Sequence, residues 1–86
     1  MIIDLRKDFK KDLYKLSQKQ REQFYERLLI FSENPFHPIL NNHELHGKLK
    51  GQHSINITGD IRAIYEQIDE NKVLFLTIAS HSKLYD

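Results

Sequence analysis

The sequence predicts an α+β fold: an N-terminal helix hairpin, preceded by a short strand, packed on one face of a small antiparallel sheet. Three observations carry the prediction. Apolar residues recur at helical spacing before residue 34 and alternate as in strands after residue 52. Pro35 and Pro38, the two prolines, fall between these regimes. The chain has 86 residues, 40% of them hydrophobic, enough for one modest core that hairpin and sheet must share. Residues 1–86 are therefore read as a single domain.

The stretch MIIDL is apolar and β-branched and opens the chain as a strand, with Asp4 interrupting it. In DFKKDLYKLS, Phe9, Leu13 and Leu16 share a helical face, and Asp8 is the expected N-cap. Ser17 either ends this helix or caps the next. QKQREQFYERLLIFSENP is the strongest helix signal: Phe24, Leu28 and Phe31 form a stripe that Tyr25 and Leu29 widen. Asn34-Pro35 stops it, because proline disfavours helix in the residue before it. FHPILNNHELHGKLKG reads as a long connector. In HSINIT, Ile55 and Ile57 point one way and Ser54, Asn56 and Thr58 the other. Gly59 turns the chain into DIRAIYEQI, DENK is a polar hairpin turn, and VLFLTIAS is a nearly continuous apolar strand of the buried kind. Asp60 and Arg62, two apart, are expected on one face of their strand. The sheet face away from the helices is thus expected to be polar and free to bind.

The totals exclude several classes. With no cysteine there is no disulfide framework and no thiolate metal site, which suits a reducing cytoplasm. No apolar run reaches membrane-spanning length, and MIIDLRKDF is charged too early for a secretory signal. The chain is expected to be cytoplasmic, with no membrane partner. The net charge is only +1, with the basic excess before residue 34, so a nucleic-acid partner is met by a local patch and not by a global field.

Five histidines remain to be explained: His37, His43, His46, His53 and His81. His43 and His46 form H-x-x-H, but within the connector and without a carboxylate motif, so no metal site is assigned. Neither a G-x-S-x-G nucleophile setting nor a G-x-x-x-x-G-K-[ST] phosphate loop is present, and no cofactor is expected. What is left is histidine, basic residues and one carboxylate: Lys48 and Lys50 on the connector, Asp60 and Arg62 on a strand, His81 after the last strand. These types suit cleavage of RNA by its own 2′-hydroxyl. That reaction needs a base for the 2′ proton, an acid for the leaving 5′-oxygen, and cations for the crowded phosphate. Histidine titrates near neutral pH, and the guanidinium fork fits phosphate oxygens. Taken singly, each residue also has a structural explanation. Arg62 can pair with Asp60 or Glu66, His81 can finish a strand, the lysines can be solvated, and Tyr85 can plug the core with a wet hydroxyl.

The run NPFHPILNNHELHGKLKGQHSINITGDIRAIYEQ, the ending LTIASHSKLY and the opening DFKKDLYKL together resemble the RelE/ParE toxin superfamily. The resemblance is greatest to the RelE/StbE and YafQ-like branch of type II toxin–antitoxin modules. It covers nearly the whole chain and rests on the order and spacing of H-x-L-x-G-x-x-K-G, D-x-R-x-I-Y and H-S-x-L-Y. It implies a small RelE-like toxin domain, an endoribonuclease (mRNA interferase) acting in the ribosomal A site. The implied partners are a cognate antitoxin that silences it, mRNA and the ribosome. By position the resemblance puts functional residues at His43, Asp60 and His81, with Tyr85 at an aromatic position and Arg62 at the arginine common in RelE-type strands.

Two departures bear on the roles. Asn56 stands where YafQ-like chains carry a second histidine, and an amide cannot act as a base near neutral pH, so Asn56 is read as an RNA contact beside Lys48 and Lys50. Ile61 stands where aromatics are common. His43 is taken as the general base, with Asp60 as its orienter or as the alternative base, and His81 as the general acid. Two other functions stay open: a ParE-like gyrase inhibitor, which needs no proton-transfer residues, and a catalytically decayed module that only binds an antitoxin.

Overall fold

The computed structural model describes residues 1–49 and 51–85, and of Tyr85 the backbone alone. Lys50 and the Tyr85 side chain, both expected at the site, lie outside what is described. The elements in chain order are β1 (Ile2–Leu5), α1 (Lys7–Lys15), α2 (Gln18–Glu33), β2 (His43–Glu44), β3 (Gln52–Asn56), β4 (Ile61–Asp69), β5 (Lys72–Ser80) and α3 (His81–Tyr85). One five-stranded sheet runs in the order β1-β5-β4-β3-β2. β3, β4 and β5 pair antiparallel as expected, β2 adds a short antiparallel edge from within the expected connector, and MIIDL forms a strand that lies parallel to β5, so the sheet is mixed.

The helix hairpin is set by short-range chemistry. Arg6 donates its backbone N–H to Phe75 O at 3.0 Å, ending the β1 ladder, and α1 starts at the next residue. Asp8 is therefore not the N-cap. It sits in the first turn, where its carboxylate faces the positive end of the helix dipole. Ser17 caps α2 in a reciprocal box: its Oγ accepts from Gln20 N and its N–H donates to the Gln20 side chain, each at 3.1 Å. The Arg21 guanidinium donates to Leu16 O at 2.6 Å and Tyr14 O at 3.2 Å, satisfying carbonyls at the end of α1. The connector is more structured than its composition suggested. It holds 3-10 turns at Pro38–Leu40 and Gly47–Leu49, and β2 pairs His43 with Ser54 and Glu44 with His53.

The core lies between the hairpin and the inner face of the sheet. Phe75 of β5 meets Phe9, Phe24, Phe31 and Tyr65, with ring centroids 5.4 to 6.1 Å apart. The stripe on α2 is narrower than expected: Phe24 and Phe31 are fully buried, while Tyr25 and Leu29 are 51% and 70% exposed. No helix among the described residues is long and apolar enough to cross a membrane.

The outer face is organised by strand register. Facing residues of paired strands share a face, so His43, Ser54, Ile64 and Thr77 form one row and Asn56, Arg62 and Ala79 the next. Leu76 is left over between Phe75 and Thr77, forming a bulge. This face is not wholly wet, contrary to expectation. Ser54 is fully buried, and Leu45, Ile64 and Leu76 are buried outside the main core cluster. Polar residues flank this apolar middle, Gln52 and Glu66 at one end and Asn56 and Arg62 at the other.

Candidate active site

That end is built around the turn from β3 to β4. Thr58 Oγ1 accepts from Asp60 N at 3.1 Å and Ile61 N at 2.9 Å, and Ile57 N donates to Ile61 O at 2.9 Å. β4 begins only at Ile61, so Asp60 rides on the turn and not on a shared strand face with Arg62. The Arg62 guanidinium folds back onto this turn. Its Nη1 donates to Thr58 O at 2.8 Å and Ile61 O at 3.2 Å, and its Nη2 to Gly59 O at 3.2 Å. Among the described residues the ion pairs are Lys15–Asp12 and Lys72–Asp4, so Arg62 pairs with neither Asp60 nor Glu66. A guanidinium has five N–H donors, and these contacts use three. The Nε–H and one Nη2–H remain as donors for a phosphate oxygen.

Asp60 and His81 are brought together by register. Ile61 pairs with Ser80, and His81 N donates to Asp60 O at 2.8 Å. Both side chains are exposed. Arg62 is one residue in from this junction and faces Ala79. Asp60, Arg62, His81 and Asn56 are thus gathered at one end of the sheet.

His43 is not in that group. It lies on β2, two strands from Arg62 and three from His81, at about 4.8 Å per strand. Its Nδ1 is 3.0 Å from Asn41 O. A carbonyl only accepts, so Nδ1 carries the proton and Nε2 is the lone-pair nitrogen of the neutral ring. This contact is aimed by the left-handed conformation of Asn41, φ 44°. Lys48, exposed in the Gly47–Leu49 turn, lies toward the opposite end of β3 from Asn56. His37 accepts from Ile39 N through Nδ1 at 3.1 Å and His53 stacks on Tyr65 at 5.0 Å, which gives both rings structural work. No group of three or more metal-ligating side chains is assembled among the described residues.

Sequence reasoning missed Arg27. It stands in the apolar stripe of α2, between Phe24 and Leu28, and its Nε donates to Ile57 O at 3.3 Å. A lone arginine in a core-facing stripe was the available signal. It holds the same turn from the helix side that Arg62 holds from the sheet side.

Comparison with known proteins decides the family. The family described as "Bacterial toxin of type II toxin-antitoxin system, YafQ" matches residues 1–86. The chain belongs to the YafQ toxin family. Solved structures of YafQ and its structural relatives share the fold. YafQ from E. coli strain BL21(DE3) is 21% identical over 98% of this chain and 97% of that one, with a TM-score of 0.78. A metal-bound toxin from Helicobacter pylori is 26% identical over 99% of each chain, with a TM-score of 0.75. The YoeB–YefM complex from Staphylococcus aureus matches at 20% identity over 94% of this chain and 97% of that one, with a TM-score of 0.75. No curated protein sequence matches. As a member of the YafQ family the chain is a type II toxin, an mRNA-cleaving endoribonuclease whose partner is an antitoxin.

Proposed function

We propose that this YafQ-family toxin cleaves mRNA at the Asp60–Arg62–His81 end of the outer face, through attack of the 2′-hydroxyl on the adjacent phosphorus. The P–O5′ bond breaks, leaving a 2′,3′-cyclic phosphate and a 5′-hydroxyl. The observation that supports this site is the register contact between His81 N and Asp60 O, with the spare donors of Arg62 beside it. These donors hold the scissile phosphate and take up charge as it builds. His81 protonates the leaving oxygen. Asp60, being next to His81, is better placed for the 2′ proton than His43, and it becomes the base. His43, Asn56 and Lys48 then line the path of the strand, with Lys50 and Tyr85 proposed to extend it.

Every proton and charge function in this scheme comes from a side chain, so the reaction proceeds without a metal ion and EDTA leaves the rate unchanged. The toxin acts in the cytoplasm on mRNA held by the ribosome, and its antitoxin silences it by covering the Arg62 end of the face. Residues 1–86 form one toxin domain. The test is to incubate purified toxin with programmed ribosomes and with free mRNA, then map RNA ends. New 5′-hydroxyl ends with wild type, absent with folded His81→Gln, support the reading. Intact RNA with both proteins refutes it, and inhibition of gyrase instead would make the chain ParE-like.

A further inference from the structure

A cavity of about 210 Å³ opens where α2 approaches the β3–β4 turn, lined by Arg27, Ile39, Asn56, Ile57, Thr58 and Gly59. It adjoins the proposed cleavage site, because the same turn carries Asp60 and is gripped by Arg62. Two features of its wall are unresolved by the fold. Arg27 is half-buried, yet the ion pairs of the described residues leave it without a carboxylate, and its one hydrogen bond there uses Nε alone. Asn56 Oδ1 is buried with no donor among the described residues. Ile57 and the 43% exposed Ile39 add apolar wall.

These features together select a ligand class. A phosphodiester would suit Arg27 but offers only acceptors, and would leave Asn56 Oδ1 without a donor. An apolar group would leave both polar groups unanswered. The edge of a nucleobase carries donors and acceptors side by side and a flat apolar surface. We propose that this cavity is the subsite for one nucleobase of the RNA, next to the cleaved phosphate. Asn56 Oδ1, turned out of its buried position as the base enters, accepts from the base edge, Arg27 donates to it, and Ile39 packs on the ring. Arg27 and Asn56 are specificity residues, and the assignment rests on the RNA-cleaving reading above.

The test uses the full-length protein and a short oligoribonucleotide made uncleavable by 2′-O-methylation, followed by NMR of the Asn56 side-chain amide and the Gly59 backbone amide. The intact oligonucleotide shifts both resonances. The same oligonucleotide made abasic at one position binds about 5- to 150-fold more weakly, the range for one well-made base contact. Asn56→Leu and Arg27→Gln each reduce affinity for the intact oligonucleotide toward the abasic value. Asn56→Leu carries the test alone if Arg27→Gln loosens the turn. Equal binding of intact and abasic oligonucleotides at every position overturns the subsite, as does the same shift with inorganic phosphate alone. Mapping of cleaved RNA separates the two readings. Cleavage without base-dependent shifts overturns the subsite and leaves the nuclease, while base-dependent shifts without cleavage support the subsite and refute the nuclease.

Discussion

The two faces of the sheet treat buried atoms differently. On the inner face the large side chains are rings packed on rings, and Tyr65, which carries a hydroxyl there, receives a hydrogen bond from Asn42 Nδ2 at 2.7 Å. On the outer face Ser54 Oγ and Asn56 Oδ1 are both buried without a partner among the described residues. An unpaired buried polar group costs about 1–3 kcal/mol. Beside Tyr65 one such atom remains, Asn42 Oδ1, against two on the outer face, which lie in the rows of His43 and Arg62. The inner face is built mainly of apolar rings, and the outer face carries more unpaired polar atoms, at a cost to stability.

Substitutions can test this contrast. The largest effect is expected from Phe75→Ala, which removes the ring at the centre of the aromatic cluster. It should cost about 3–5 kcal/mol, read as a lowered urea midpoint. Next is Arg62→Ala, which should slow RNA cleavage by about two to three orders of magnitude, comparable to losing one oxyanion donor. Because Arg62 also clamps the turn, some stability goes with it. Arg62→Lys keeps the charge and loses the fork, so it should also be slow. Lysine restoring full rate would show that the fork is not used.

Smaller and of opposite sign is Ser54→Ala. Deleting an unpaired buried hydroxyl should raise stability by about 1 kcal/mol, seen as a higher urea midpoint at unchanged slope. A loss of stability would show that the hydroxyl is satisfied in solution. The smallest effect is expected in alkali. Burial raises the Tyr65 pKa above its ordinary value, the Asn42 hydrogen bond opposing this in part. A folded pKa above the unfolded one stabilises fully below about pH 10 and is lost as pH rises toward the folded value. Stability should therefore decline above about pH 10, and Tyr65→Phe should decline less.

Much of the fold was legible because its signals are local. The break between the helices at Ser17, the Asn34-Pro35 stop and the change of period after residue 52 each depend on neighbours in sequence. What was not legible depends on pairing. Nothing local says that β1 lies parallel to β5, or that Leu45, Ile64 and Leu76 are buried on the outer face. At the site, residue types were readable but directions were not. Asp60 and Arg62 looked like one strand face, and only the hydrogen bonds of Thr58 put Asp60 on the turn. The expected union of His43 with His81 failed to form because β3 and β4 lie between their strands. Arg27 was hidden for the converse reason: a charged residue in an apolar stripe is usually read as noise.

The central claim is that His81, held against Asp60, delivers a proton to the leaving 5′-oxygen. It is tested by measuring cleavage by His81→Gln on two matched RNAs, one with the ordinary 5′-oxygen at the cleaved bond and one with 5′-sulfur there, a leaving group that needs no protonation. With His81 as the acid, the folded variant is slow on oxygen and regains most of the wild-type rate on sulfur. A variant equally slow on both RNAs, with its fold intact, would contradict it.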